Sequence, residues 1–118
     1  MHYLFILNDP PYGTERVFNG LRLAHALIKR DGDDRLDVFL MADAVVGAKS
    51  GQSTPDGFYN VERMLKRVAR ADNGRVLMCG TCMDARGLSE DELIDGARRS
   101  TMDELAELAA TADKTIVF

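Results

Sequence analysis

Apolar residues along this chain come in two patterns. Some form short, nearly unbroken runs: HYLFIL at residues 2–7, LDVFLM at 36–41, RVLM at 75–78 and TIVF at 115–118. Runs of this length without polar alternation predict strands buried on both faces, as in a parallel sheet covered by helices. Others recur at helical spacing. Val17, Leu21, Ala24 and Ile28 make one stripe, which begins after Thr14 and is broken by Asp31-Gly32-Asp33-Asp34. Val61, Leu65 and Val68 make a second, within a helix expected over residues 58–72. Arg63, Lys66, Arg67 and Arg70 lie outside that stripe, and Asn73-Gly74 supplies a left-handed stop. Ser89 to Glu92 and Thr101 to Glu104 each carry the capping-box pattern, in which a hydroxyl and a carboxylate satisfy orphan backbone N–H groups, so two further helices are expected to begin there.

Strand and helix patterns alternate, which implies right-handed parallel crossovers. The expected fold is a single three-layer α/β domain over residues 1–118 with a mostly parallel sheet and flavodoxin-like topology. In such sheets, ligand and catalytic residues gather outside the carboxyl ends of the strands. Three segments converge there: 8–14, 41–57 and 79–88. GAKSGQSTPDG at 47–57 has no apolar periodicity and is expected to form a mobile surface loop able to act as a lid. A pocket is expected from Asn8, Asp9, Tyr12, Lys49, Ser50 and Gly80.

Composition narrows the function classes. A hydrophobic fraction of 46% with 29% charged residues fits an ordered globular chain, and 118 residues suffice for one core but are short for two. The net charge of −4, without a Lys/Arg run, gives no footprint for a phosphate backbone, so nucleic acid is not an expected partner. No apolar stretch is long enough to span a bilayer, and the N-terminus lacks the features of an export signal; no membrane association and a cytoplasmic location are expected. Two cysteines in that compartment are expected as free thiols.

Both cysteines lie in MCGTCMDARGL, residues 78–88, directly after the third apolar run. A zinc site would need two more ligands, yet there is no other cysteine, and His2 and His25 have no paired spacing, so no metal is expected. A thioredoxin-like dithiol is chemically open, although the pair comes late in the chain and Pro10, Pro11 and Pro55 lie elsewhere. Core packing suits Cys82 as well as a functional role does, since free cysteines are often buried. Cys79 stands just beyond a strand end, flanked by Gly80 and Gly87, where a reactive thiol would sit. Arg86 and loop N–H groups are expected to bring its pKa below the free value of about 8.5, with Asp84 pointing away or pairing with Arg86. The loop after the first strand lacks a Gly-rich phosphate fingerprint, and the third strand ends in cysteine where a phospho-receiver needs aspartate, so no cofactor is expected.

A strand ending in cysteine is followed by A-R-G-L at 85–88, E-L at 92–93, G-A at 96–97, S-T-M at 100–102, E-L at 104–105, A-D-K at 112–114 and a final apolar strand. In this order and spacing the chain resembles the DsrE/DsrF family of small sulfur-relay proteins over nearly its whole length, most strongly from Val76 to Phe118. The resemblance implies a sulfur carrier: in the better-studied members a cysteine after the third strand, with R-G seven and eight positions later, bears a persulfide handed along by partner proteins. Cys79 matches that position, with Arg86 and Gly87 in place. Cys82 matches the branch that reads C-G-x-C. The resemblance also implies a homo-oligomer, trimeric or hexameric, with sulfur donor and acceptor proteins as partners. Two other functions remain open: a thiol–disulfide oxidoreductase using Cys79 and Cys82, or a non-catalytic oligomer binding a small anion at the helix start after Asn8 to Thr14.

Overall fold

In a computed structural model describing residues 1–118, the four apolar runs and one further segment become the five strands of one sheet. These are β1 (His2–Leu7), β2 (Arg35–Leu40), β3 (Gly74–Cys79), β4 (Ala97–Ser100) and β5 (Lys114–Val117), in the order β4-β3-β2-β1-β5. Every pairing is parallel; Phe5 lies beside Val38, and Val38 beside Val76. The three central strands are buried on both faces, which is why their sequences do not alternate.

The helices are α1 (Arg16–Ile28), α2 (Val61–Arg70), α3 (Gly80–Ala85) and α4 (Met102–Thr111). Helices α1 and α2 pack against each other beside the central strands, burying Val17, Leu21, Ala24, Val61, Leu65 and Val68. The return from β4 at one edge to β5 at the other reverses direction along the sheet, so the same crossover handedness carries α4 to the opposite face. This three-layer parallel architecture matches the sequence expectation, but the strand order departs from the flavodoxin order of 2-1-3-4-5. The reversal falls between β1 and β5. There the Phe118 ring lies over Gly20, 2.9 Å from where a Cβ would stand, and stacks on Phe5.

Helix α2 is shorter than expected at both ends. Asp56 and Tyr59 have φ of +52° and +55°, so the chain is not helical there, and Asn60 caps the helix by accepting from Arg63 N at 3.0 Å. Gly74 is not a left-handed stop. It opens β3, where a Cβ would lie 2.5 Å from the Val68 carbonyl oxygen.

The capping box at Ser89 forms, but it closes only a single 3-10 turn, Glu90–Glu92. A helix cannot continue because the neighbouring segment takes the backbone groups it would need: Ser50 N donates to Glu92 O, and Ile94 N donates to Ala48 O, each at 2.9 Å. The chain then turns into β4, an element the sequence pattern ARRS did not suggest. Residues 47–57 likewise differ from the expected mobile lid. Gly47 and Ala48 are buried at the end of a 3-10 segment, Ala42–Ala48, and Gly51 N and Gln52 N both donate to Glu62 Oε1 at 3.1 and 2.8 Å. Gln52 Nε2 also donates to the carbonyls of Gly47 and Lys49. Burial pushes the Glu62 carboxyl up, yet Lys66 and these N–H groups hold it below the usual range, so it is a charged anchor for the loop.

The edge strand β4 is tied to α4 by Glu104. Arg98 donates to both its carboxylate oxygens at 3.0 and 2.6 Å, and the Ser100 hydroxyl donates to it as well. Arg98 and Ser100 hold the Glu104 pKa at about 2, against 4.5 for the free group. Because the folded value is the lower one, this contribution to stability is complete above the unfolded pKa and fades as pH falls from 4.5 toward about 2. Glu104→Gln is therefore expected to be less stable than the parent at neutral pH, and the gap should close on acidification through that window. Urea unfolding across the acid range checks this; a gap independent of pH would contradict it.

Candidate functional site

Strand β3 ends on Cys79 and α3 starts at the next residue, so Cys79 is the helix cap: its Sγ accepts from Cys82 N at 3.3 Å. Only 7% of Cys79 is exposed. Cys82, one turn further on, is more accessible, and its Sγ accepts from Ala42 N at 3.2 Å. Ala42 holds a left-handed φ of +50°, a conformation that disfavours a Cβ. Each sulfur thus faces a backbone donor held by a regular element.

A cleft of about 380 Å³ opens over the pair. Met41 from the end of β2, Cys79, Gly80, Thr81 and Cys82 from the β3–α3 junction, and Arg99 and Ser100 from β4 line it. Register explains the grouping: Cys79 lies beside Ser100, which places Arg99 at the same sheet edge. Gly80 is needed because a Cβ there would stand 2.8 Å from Arg99 Nε. Arg99 is fixed by Asp84, to whose two carboxylate oxygens it donates from Nη1 and Nη2, both at 2.7 Å.

Several expectations change here. Asp84 pairs with Arg99, not with Arg86. Arg86 turns to Asp43, donating at 2.9 Å from Nε, and touches the cysteine segment only through the Cys82 carbonyl at 3.0 Å. Nor is the Cys79 thiol depressed: burial, then the neighbouring Cys82 thiol, push its pKa up, and the N–H groups of Cys82 and Thr81 only partly offset them. At rest Cys79 is a protonated, shielded thiol.

Of the expected pocket residues, Gly80 alone lines this cleft. Asn8 N donates to Phe118 O at 2.8 Å, and Asp9 accepts from the Thr14 hydroxyl at 3.1 Å. The Tyr12 hydroxyl donates to Gln52 Oε1 and accepts from Val61 N. Lys49 pairs with Glu92 at 3.4 Å, and the Ser50 hydroxyl donates to the Glu92 carbonyl. Tyr12, Lys49 and Ser50 border a separate depression of about 310 Å³, because the 3-10 segment from Ala42 to Ala48 and its anchored loop occupy the space the expected lid would have left open. His2 sits at the other end of the strands against Asp37, and His25 Nε2 bonds the Met64 carbonyl at 2.8 Å. No helix is long and apolar enough to cross a membrane. Met41 and Ala42 belong to the segment 41–57 expected at this edge, though the sequence does not single them out; Arg99 lies outside all three expected segments and becomes visible only once β4 is placed beside β3.

Comparison with known proteins places this geometry. A sequence model of the DsrE/DsrF-like family matches residues 1–118. Protein YchN of Escherichia coli K12 is 43% identical over 115 residues, covering 98% of this chain and 97% of its own. The crystal structure of YchN superposes with a TM-score of 0.90 over the full length of both chains, at 42% identity. The Methanobacterium thermoautotrophicum protein MTH1491, at 12% identity, shares the fold with a TM-score of 0.77, covering 99% of this chain and 98% of its own. Sulfurtransferase TusD of Salmonella typhi is more distant, 24% identical over the whole of both chains.

Proposed function

This chain belongs to the DsrE/DsrF-like family, and from that premise we propose that it relays sulfane sulfur, held as a persulfide on Cys79, from a donor to the thiol of an acceptor protein. The observation that carries the reading is the placement of Cys79 at the end of β3, capping α3 inside a cleft. Kinship with a protein named as a sulfurtransferase supports it. In the forward step the Cys79 thiolate attacks the outer sulfur of a donor persulfide. A new S–S bond forms, the donor's own S–S bond breaks, and its electron pair leaves with the inner sulfur as a thiolate. The outer sulfur keeps its proton. An acceptor thiolate then attacks the sulfur held on Cys79, which departs as the thiolate it was, so no net oxidation occurs. The backbone N–H of Cys82, which donates to the Cys79 sulfur in the resting chain, is placed to stabilise negative charge there when Cys79 departs as a thiolate.

Incubating the reduced protein with a small-molecule persulfide donor and weighing it intact tests the reading. The expected result is a gain of one sulfur atom per chain, removed by dithiothreitol or cyanide; a protein that gains none is not a carrier. A second reading, thiol–disulfide exchange between Cys79 and Cys82, is favoured by the contact from Cys82 N to Cys79 Sγ, which sets the two thiols one turn apart.

We also propose a homo-oligomer, trimeric or hexameric, acting in the cytoplasm. Phe58, Tyr59 and Met102 stand 70%, 50% and 59% exposed, apolar surface that assembly would cover. Light scattering at micromolar concentration is expected to give a multiple of 13.1 kDa, and a monomer would refute the assembly.

A further inference from the structure

The protonated, shielded state of Cys79 raises the question of what ionises it. The charged and titratable groups around it are few: Cys82 and Asp84 on α3, Arg86 just past its end, Asp43 on the 3-10 segment, Arg99 on β4, and Glu90 on the turn near Arg99. Arg86 is committed to Asp43 and to the Cys82 carbonyl. Arg99 is the one cation that lines the cleft with Cys79. Its Nε, Cζ and Nη2 lie 2.8, 2.9 and 3.0 Å from the point where a Cβ of Gly80, the residue next to Cys79, would be.

We propose that Arg99 is the electrostatic partner of the Cys79 sulfur, and that its bidentate pairing with Asp84 weakens, without abolishing, its pull on that sulfur in the resting protein. The proposal rests on Cys79 being the sulfur-bearing thiol. Arg99 and Asp84 are 41% and 63% exposed, so water screens the pair and a competing charge can reach Asp84 from solvent. Whatever neutralises or withdraws Asp84, such as a cationic group on a docking protein, releases the guanidinium to a developing thiolate or persulfide anion. Gly80 completes the device, because any side chain there would push Arg99 off the cleft.

The test reads the thiol itself. In a Cys82→Ser background, the rate of Cys79 alkylation by neutral iodoacetamide is followed against pH, and its ratio to the rate with anionic iodoacetate is taken at one pH. Arg99→Gln is expected to move the apparent Cys79 pKa upward and to lower the relative iodoacetate rate severalfold; Gly80→Ala should do the same without removing a charge. Asp84→Asn should shift both readouts the opposite way, and Arg99→Lys should stay nearer the parent than Arg99→Gln. Local unfolding would mimic none of this pattern, since it raises both rates and leaves their ratio at that of a free cysteine peptide. The proposal is overturned if Arg99→Gln leaves the profile and the ratio unchanged, if Arg86→Gln moves them further than Arg99→Gln, or if Asp84→Asn acts in the same direction as Arg99→Gln. Alkylation needs no sulfur donor, so a protein that obeys this pattern but never gains sulfur loses the relay and keeps Arg99 as the partner of Cys79.

Discussion

Cys79→Ser is expected to abolish sulfur loading, while Cys82→Ser retains it. A carrier needs one thiol, the one that forms and breaks the S–S bond, whereas a dithiol oxidoreductase needs both to close its disulfide. The two cysteines are not equivalent in the fold. Cys79 caps α3 at the end of β3, and Cys82 lies one turn along, its sulfur facing the Ala42 N–H. If Cys82 acts at all on a loaded chain, its thiolate attacks the Cys79 sulfur, closing an internal disulfide and expelling hydrosulfide. Cys82→Ser should then lengthen the lifetime of the loaded state. Intact mass and cold cyanolysis on both variants decide the matter. Should Cys82→Ser lose loading as completely as Cys79→Ser while both stay folded, the single-thiol carrier gives way to the dithiol.

The largest effect on stability is expected at Asp37. This residue stands in the middle strand of the sheet with its side chain wholly buried, 2.6 Å from His2 Nε2 and 2.5 Å from Arg75 Nε. Burial pushes its carboxyl up, but the hydrogen bonds from Arg75 and His2 more than reverse this, so it is held below the usual carboxylate range. Asp37→Ala should lower unfolding free energy at neutral pH by about 2–3 kcal/mol; removal of one partner from a fully buried pair costs about 3–5 kcal/mol, and here Arg75 can turn part of its charge to water. Since the folded pKa is the depressed one, the Asp37 contribution is present above the unfolded value of 3.8 and disappears as pH falls through the folded one. Urea titration of parent and variant measures the difference. A loss below about 0.5 kcal/mol would class the cluster with exposed ion pairs.

Both residues show where sequence reasoning reaches and where it stops. Cys79 was legible because a cysteine that ends an apolar run marks a strand terminus, and in a parallel sheet every such terminus opens on the same edge. Asp37 sits within an apolar run, and one acid in LDVFLM says nothing about the His2 and Arg75 that neighbouring strands bring to it. Arg86 was expected at the thiol because it is near in sequence. Arg99, farther along the chain, is the one that arrives, because β4 pairs with β3 and sets Ser100 beside Cys79.

Local patterning suffices for the buried central strands, the stripes of α1 and α2, the layered parallel fold and the position of the thiol. All of these follow from local periodicity and from the handedness of crossovers, which act within a few residues or a single strand–helix–strand unit. The tertiary structure alone decided that the Ser89 capping box stops after one turn, that residues 47–57 are an anchored wall, that Asn8, Asp9, Tyr12, Lys49 and Ser50 lie away from the cysteine cleft, and that the cation beside Cys79 is Arg99. Those outcomes depend on which backbone groups and charges from distant segments compete for the same partners, as Glu92 O is taken by Ser50 N and Asp84 by Arg99. A competition of that kind has no signature in the spacing of residues along one chain, because its energy exists only once the sheet has set the strands side by side.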